Sequence, residues 1–134
     1  MRILHVSDTH LGLRGRVRGG PPGWTRADDH LAALQAAVAR AGEVDLVVHT
    51  GDLYDRSRPP GRTVAQAAAL LSDLARRVPV VVLLNRYDPA VELHERNWAS
   101  LSHHDGLDVV TTPADAAERV RVLRPHDPLR PNHP

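Results

Sequence analysis

The residues best suited to chemistry are acidic and imidazole side chains that follow apolar stretches of the chain. Asp8 and His10 lie two positions apart directly after the first apolar stretch. Asp52 follows the second stretch immediately after Gly51, and Asp55 comes after Leu53 and Tyr54. A carboxylate and an imidazole so closely spaced in a turn can face one cation, and together they are good ligands for a divalent metal. The first pair therefore predicts a metal site.

The second group suggests that more than one ion is held. Gly51 allows a sharp backbone turn, which would place Asp52 at the lip of a sheet. From that position one carboxylate can bridge two metals about 3.5–4 Å apart, the separation used in two-metal phosphate chemistry. The alternative is that each Asp caps the turn or helix that follows it. The metal interpretation is favoured because D-x-H and G-D-x-x-D follow successive apolar stretches.

Composition narrows the ligand chemistry and the class of protein. The 134 residues include no Cys, so metal ligands must be oxygen or nitrogen atoms, which favours Mn, Mg, Fe or Zn. A net charge of +1 does not by itself indicate a nucleic-acid or membrane partner. The N-terminal sequence turns polar early, and no apolar run approaches the roughly 20 residues that span a bilayer. We therefore predict a cytoplasmic protein without a membrane partner.

The elements that must position these residues can be predicted from periodicity. Apolar runs rich in Val, Ile and Leu predict buried strands over 2–7, 44–49 and 78–84. Thr25 with Asp28 predicts the start of a first helix, Gly42 its end, and a second helix follows Pro60. The order strand, helix, strand, helix, strand indicates an α/β fold built on a mainly parallel sheet. A fourth strand is predicted over 107–111, with helical segments over 89–101 and 113–119.

These motifs resemble those of the calcineurin-like metallophosphoesterases over about residues 1–112. SDTHLG and GDLYDR look like the first two family motifs, and the text is most similar to the N-terminal half of bacterial DNA-repair exonuclease subunits. The resemblance implies a two-metal centre that hydrolyses phosphoesters. On that analogy Asp8 and His10 hold one ion and Asp52 bridges both. Asp55 and Asp88 are expected beside the ligands rather than among them.

The third family motif, Gly-Asn-His-Asp/Glu, is degenerate in this chain. The matching text is Asn85-Arg86-Tyr87-Asp88. Aligned without a gap, Arg86 and Tyr87 replace the metal-binding Asn and the catalytic His of the family. A one-residue slip keeps Asn85 as a metal ligand but puts Arg86 in place of the His. The general acid is missing in both alignments, so no catalytic residue is assigned, and whether the chain binds two ions or one stays open.

The family's later His ligands have no recognisable counterpart here. His5 and His49 lie within predicted strands, and we expect them to be packed, hydrogen-bonded residues rather than ligands. Residues 1–123 are predicted to form a truncated phosphoesterase domain, and 124–134 a disordered Pro-rich tail. The resemblance implies a sandwich of two sheets, of which the second would be largely missing. One face of the sheet would then be bare, so we predict self-association or a protein partner on that face.

The sequence supports three functional interpretations. The first is a metal-dependent phosphoesterase acting on phosphomono- or phosphodiesters, with nucleic acid among the candidate substrates. The second is a catalytically inactive relative that binds metal, phosphate or a protein partner. The third is a truncated fragment without a function of its own.

Overall fold

A four-stranded parallel sheet forms the centre of the molecule. The computed structural model of the protein describes residues 1–56, 58–84 and 106–122. The strands are β1 (Ile3–Val6), β2 (Leu46–His49), β3 (Val80–Leu83) and β4 (Leu107–Val110). They lie in the order 1-2-3-4, and every neighbouring pair is parallel. The predicted α/β fold with parallel strands is confirmed.

In the described part of the chain, helices follow β1, β2 and β4. They are α1 (Arg26–Ala39), α2 (Gly61–Ala75) and α3 (Pro113–Val122), and a 3-10 helix (Arg40–Glu43) continues α1. The carboxylate of Asp28 accepts hydrogen bonds of 2.7 Å from both the backbone N–H and the hydroxyl of Thr25, which confirms the predicted start of α1. The predicted end was wrong, because Gly42 lies inside the 3-10 helix rather than at the end of α1.

The main core lies between one face of the sheet and helices α1 and α2. Each crossover advances by one strand in the same direction, so both helices lie on the same face. Alternate strand residues point into this core because the side-chain period of a strand is two. The buried members include Leu34 and Val38 from α1, Ala67, Leu71 and Leu74 from α2, and Val47, Val80, Val82 and Leu107 from the sheet.

The opposite face of the sheet is covered in part by α3. Ala116 of α3 packs with Leu46 and Val81, and Arg119 lies 3.7 Å from the Asp108 carboxylate of β4. The helical segment predicted over 113–119 is longer in the structure than expected. It covers part of the sheet face that was predicted to be bare. Along β1 this face remains open, since Ile3 is 44% exposed.

Some of the sequence predictions concern residues outside the described part of the chain. They include Asn85 and Asp88, the helix over 89–101 and the tail over 124–134. The domain boundary at residue 123 also stays a prediction. No helix among the described residues has both the length and the apolar character needed to cross a membrane.

Candidate metal centre

Two loops at the carboxyl ends of β1 and β2 carry the predicted ligands. Val6 and His49 are register partners, so the two neighbouring strands end side by side. Beyond the strands the loops stay paired: the Asp8 N–H donates to the Gly51 carbonyl at 3.0 Å, and the His10 N–H donates to the Asp52 carbonyl at 3.0 Å. This pairing brings together residues that are more than forty positions apart in the sequence.

The side chains of Asp8, His10 and Asp52 converge. One ligand atom of each lies within 4.8 Å of the others, and among the described residues this is the group of three or more ligand-type side chains that meets that distance. The side chain of Asp8 is 65% exposed and that of His10 is 39% exposed. The group is thus open to solvent on one side, so a cation held there would keep free positions for water or substrate.

The backbone at these three residues is left-handed. Asp8, His10 and Asp52 have φ angles of 55°, 43° and 50°, and they are the non-glycine residues with positive φ among the described ones. Asp and His tolerate this region better than most residues, but each such position still costs about 1–3 kcal/mol. The preceding Gly51, with a φ of 120°, provides the sharp turn predicted before Asp52. The concentration of backbone strain at the candidate ligands indicates a functional site.

Electrostatics keep Asp8 ionised. A hydrogen bond from the Ser7 side chain lowers the pKa of the Asp8 carboxyl below its ordinary value, and the nearby Asp52 side chain and His10 charge act in the same direction. The Asp8 carboxylate is therefore ready to bind a cation at neutral pH, because the deprotonated form is the one that binds metal.

A buried histidine is hydrogen-bonded to both of the loops that carry the candidate ligands. His49, the last residue of β2, is only 2% exposed, and its burial lowers the pKa of the imidazole to about 4. Its Nε2 lies 3.0 Å from the Thr9 hydroxyl, and the Gly51 N–H donates to its Nδ1 at 3.3 Å. The prediction that His49 is a packed, hydrogen-bonded residue is confirmed. For His5 the hydrogen bond is confirmed, because its Nε2 lies 2.7 Å from the Thr50 hydroxyl, but the predicted packing was wrong, because His5 is exposed.

A cavity of about 380 Å³ adjoins Asp8 between the end of β1 and α1. Its apolar wall comes mainly from Val6 and Leu34, whereas Arg26, Asp29 and His30 supply polar groups. Asp29 is held by the Trp24 indole N–H, which donates to its carboxylate at 2.6 Å, and by Arg26 at 3.7 Å. The cavity thus has polar groups beside the candidate ligands and an apolar interior.

The remaining predicted site residues stand apart from this cluster. Asp55 is not a member of the group of converging ligand atoms; its carboxylate lies 4.0 Å from the Arg56 guanidinium, and its N–H donates to the Leu11 carbonyl. This is compatible with the expected place beside the ligands. Asn85 and Asp88 lie outside the described residues.

Two residues with a structural role at the site, Thr9 and His30, were missed by sequence reasoning. His49 was predicted to be packed and hydrogen-bonded, since it is a polar residue at the end of an otherwise apolar strand and a buried imidazole must find hydrogen-bond partners, but its contact with Thr9 was not predicted. The hydrogen bond of 2.8 Å from the His30 Nδ1–H to the Thr9 carbonyl joins α1 to the loop and has no local sequence signal.

The donor set fits a divalent metal ion. Two carboxylates and one imidazole suit Mn, Fe or Zn, and Mg accepts the carboxylates most readily. Within the described residues the ligands suffice for one ion that completes its coordination with water. A four-stranded parallel sheet whose strand ends carry D-x-H and G-D motifs defines an α/β metal-binding domain of the phosphoesterase type.

The family is settled by comparison with known proteins. The model of the calcineurin-like phosphoesterase family matches residues 1–84, and the chain belongs to this family. The match includes the two loops that carry Asp8, His10 and Asp52.

Individual relatives are nuclease and DNA-repair proteins. The chain is 30% identical to a component of the nuclease SbcCD of Bacillus subtilis over 91% of this chain and 30% of the relative. It is 33% identical to the DNA double-strand break repair protein Mre11 of Thermoplasma acidophilum over 63% of this chain and 22% of the relative. The corresponding SbcCD component of Rhodobacter capsulatus is 32% identical over 69% and 23%. The chain spans less than a third of the length of these curated relatives.

Proposed function

We propose that this protein is a metal-dependent phosphoesterase module whose ion is held by Asp8, His10 and Asp52. The observation that carries the proposal is the convergence of their ligand atoms within 4.8 Å at the ends of adjacent parallel strands. A bound divalent ion supplies an activated water and neutralises charge on the phosphoryl oxygens. The family to which the chain belongs supports this chemistry over other uses of a metal.

The residues around the ion have separable tasks in this proposal. Asp8 and Asp52 provide negative charge and His10 provides a nitrogen donor, so the site attracts a divalent cation. His49 stays uncharged beneath the site and therefore does not repel the ion. Asn85 is proposed as a further ligand on the family motif, with Asp55 and Asp88 beside the ligands.

The proposed substrate is a phosphodiester in nucleic acid. The supporting observation is that the relatives are named as a nuclease component and as a DNA double-strand break repair protein. The cavity beside Asp8 accepts the group next to the reacting phosphate in this proposal, because its wall has both polar and apolar residues.

The first relative is named as one component of a larger nuclease, which also supports a protein partner for this chain. A cytoplasmic location is proposed from the sequence.

The decisive experiment measures hydrolysis of bis-p-nitrophenyl phosphate and of a labelled single-stranded oligonucleotide with and without Mn²⁺. We expect turnover that needs the metal and is lost in Asp8→Asn, a change that keeps the side-chain shape but removes the charge. Turnover that survives chelation, or that is equal in Asp8→Asn, would contradict the proposal. Isothermal titration with Mn²⁺ gives the number of ions bound, one or two.

The degenerate third motif favours a second candidate, a relative that binds metal without turnover. In the ungapped alignment Arg86 and Tyr87 stand where the family has Asn and His, and in the alignment that keeps Asn85 as a ligand Arg86 stands in place of the His. Tight Mn²⁺ binding that Asp8→Asn abolishes, together with no hydrolysis by the wild type, would select this candidate. Absence of both binding and hydrolysis would leave the fragment interpretation.

A further inference from the structure

We propose that Thr9 is a positioning residue of the candidate metal centre and acts with His49 as a hydrogen-bonded clamp on both ligand loops. We call this pair the Thr9–His49 clamp. The inference rests on the proposed metal site and adds residues that touch no substrate. It concerns how the candidate ligands are held in the metal-free protein.

The hydrogen bonds of the clamp fix the protons on both residues. The Thr9 hydroxyl donates to the Leu53 carbonyl at 3.1 Å, because a carbonyl can only accept. The hydroxyl has one proton, so its 3.0 Å contact with His49 Nε2 requires that Nε2–H donate to the Thr9 oxygen. The Gly51 N–H points at His49 Nδ1, which must then be the unprotonated nitrogen. Both ring contacts agree on one neutral tautomer.

The contacts of the clamp lie next to every candidate ligand. Thr9 stands between Asp8 and His10 in the sequence, and Leu53 directly follows Asp52. Gly51, which contacts the other ring nitrogen, directly precedes Asp52. The hydrogen bonds of Thr9 and His49 therefore reach the residues on both sides of the left-handed residue Asp52. Thr9 itself lies between the other two candidate ligands.

A third residue supports Thr9 from the helix. The Nδ1–H of His30 donates to the Thr9 carbonyl at 2.8 Å, so both the side chain and the main chain of Thr9 are held. His30 belongs to α1, and His49 ends β2. The loop that carries Asp8 and His10 is thereby attached to two elements of the main core rather than only to its own strand.

Such attachment has a reason in the conformation of the site. Asp8, His10 and Asp52 all have left-handed backbone conformations. This strain favours relaxation of the loops in the metal-free protein. Hydrogen bonds to neighbouring positions oppose that relaxation, so less of the metal's binding free energy is spent on ordering the ligands.

The test compares Thr9→Val with Thr9→Ser in the full chain, after chelation and addition of Mn²⁺ in a calorimeter. Valine keeps the shape but has no hydroxyl, whereas serine keeps the hydroxyl. We expect Thr9→Val to weaken Mn²⁺ binding by about 10- to 100-fold, as loss of residues behind metal ligands does. Thr9→Ser is expected to keep most of the wild-type affinity.

A matched control separates positioning from general stability. Val47 lies on β2 in the main core, and Val47→Ala should lower the melting temperature without changing Mn²⁺ affinity at a temperature where the variant is folded. Equal affinity in wild type and Thr9→Val would overturn the inference while leaving the metal site standing. Equal losses in Thr9→Val and Thr9→Ser would also overturn it.

A second measurement does not need the metal. Nitrogen-15 NMR of the metal-free wild type should show His49 as the neutral tautomer protonated at Nε2, and Thr9→Val should disturb that signal. The opposite tautomer in the wild type would overturn the clamp. Absence of any Mn²⁺ binding by the wild type would instead overturn the proposed metal site, and the positioning role would fall with it.

Discussion

At the scale of single residues, the candidate metal centre is shaped by charge and by unusual backbone angles. Asp8 and Asp52 bring two carboxylates to one point, and both residues are left-handed. Asn tolerates this backbone region as readily as Asp does. Replacing Asp by Asn therefore tests the charge of the site with little change in its conformation.

We expect Asp8→Asn to lower the stability of the metal-free protein, because the pKa of Asp8 is lowered in the folded protein and the fold therefore favours its ionised form. With Mn²⁺ at a hundred times its Kd, the wild type should gain about 2.7 kcal/mol and the variant far less. Thermal melting with and without Mn²⁺ measures both effects. Asp73→Asn, an exposed site on α2, should respond to Mn²⁺ as the wild type does.

The buried imidazole of His49 predicts a pH dependence of stability. The pKa falls from an ordinary 6.5 to about 4 in the folded protein, so between these values the unfolded chain binds more protons. Above pH 6.5 the neutral His49 ring does not reduce the free energy of unfolding. As the pH falls from 6.5 to 4, the free energy of unfolding decreases by about 3 kcal/mol in total.

Urea unfolding of the chelated protein at several pH values between 7 and 4 measures this loss. In His49→Gln the same comparison should show a smaller fall, because glutamine has no proton to gain. A His49 ring that titrates in the folded protein near pH 6.5, followed by NMR, would contradict the prediction.

At the scale of elements, the junction between the end of α2 and the start of β4 depends on one glycine. Gly106 has a φ of 98°, and a Cβ placed there would lie 2.8 Å from the Ala75 carbonyl oxygen. The Gly106 carbonyl in turn accepts a hydrogen bond of 2.7 Å from the Val80 N–H. A side chain would therefore push the fourth strand away from both α2 and β3.

We expect Gly106→Ala to lower the free energy of unfolding by about 3 kcal/mol, since strain from positive φ and a backbone clash add together. Gly42→Ala is the matched control, because a Cβ at Gly42 meets no atom within 4 Å. The control should change stability by less than about 1 kcal/mol. Equal effects of the two substitutions in urea unfolding would show that the junction is not tightly packed.

At the scale of the whole molecule, the two faces of the sheet differ in how they are covered. Helices α1 and α2 lie on one face, and α3 covers part of the other. Around Ala116 the second face holds Val48, Leu83 and Val110, which are only partly buried. This thinner cover is where loss of packing would create an apolar patch and promote association.

We expect Ala116→Asp to cause self-association, because a carboxylate cannot be buried against Leu46 and Val81 and α3 would separate from the sheet. Light scattering during size-exclusion chromatography measures the change. Ala117→Asp adds the same charge to an exposed position on the same helix and should leave the elution unchanged. If the two variants elute alike, α3 does not protect the sheet.

Local sequence was enough to predict the order of the elements and the identity of the candidate ligands. Apolar runs specify strands locally, and turn residues directly after them specify which side chains lie at the strand ends. Asp8, His10 and Asp52 could be predicted for that reason, because parallel neighbours bring their ends together. The capping of α1 by Asp28 is equally local.

Long-range contacts, in contrast, determine which polar residues support the ligands and what covers the second face. His5 and His49 look alike in sequence, yet His5 lies exposed on β1 while His49 is buried between loops. The period of a strand tells which residues share a face but not what packs on it. The partners of Thr9 and the position of α3 depend on contacts between distant parts of the chain, so they had no local signal.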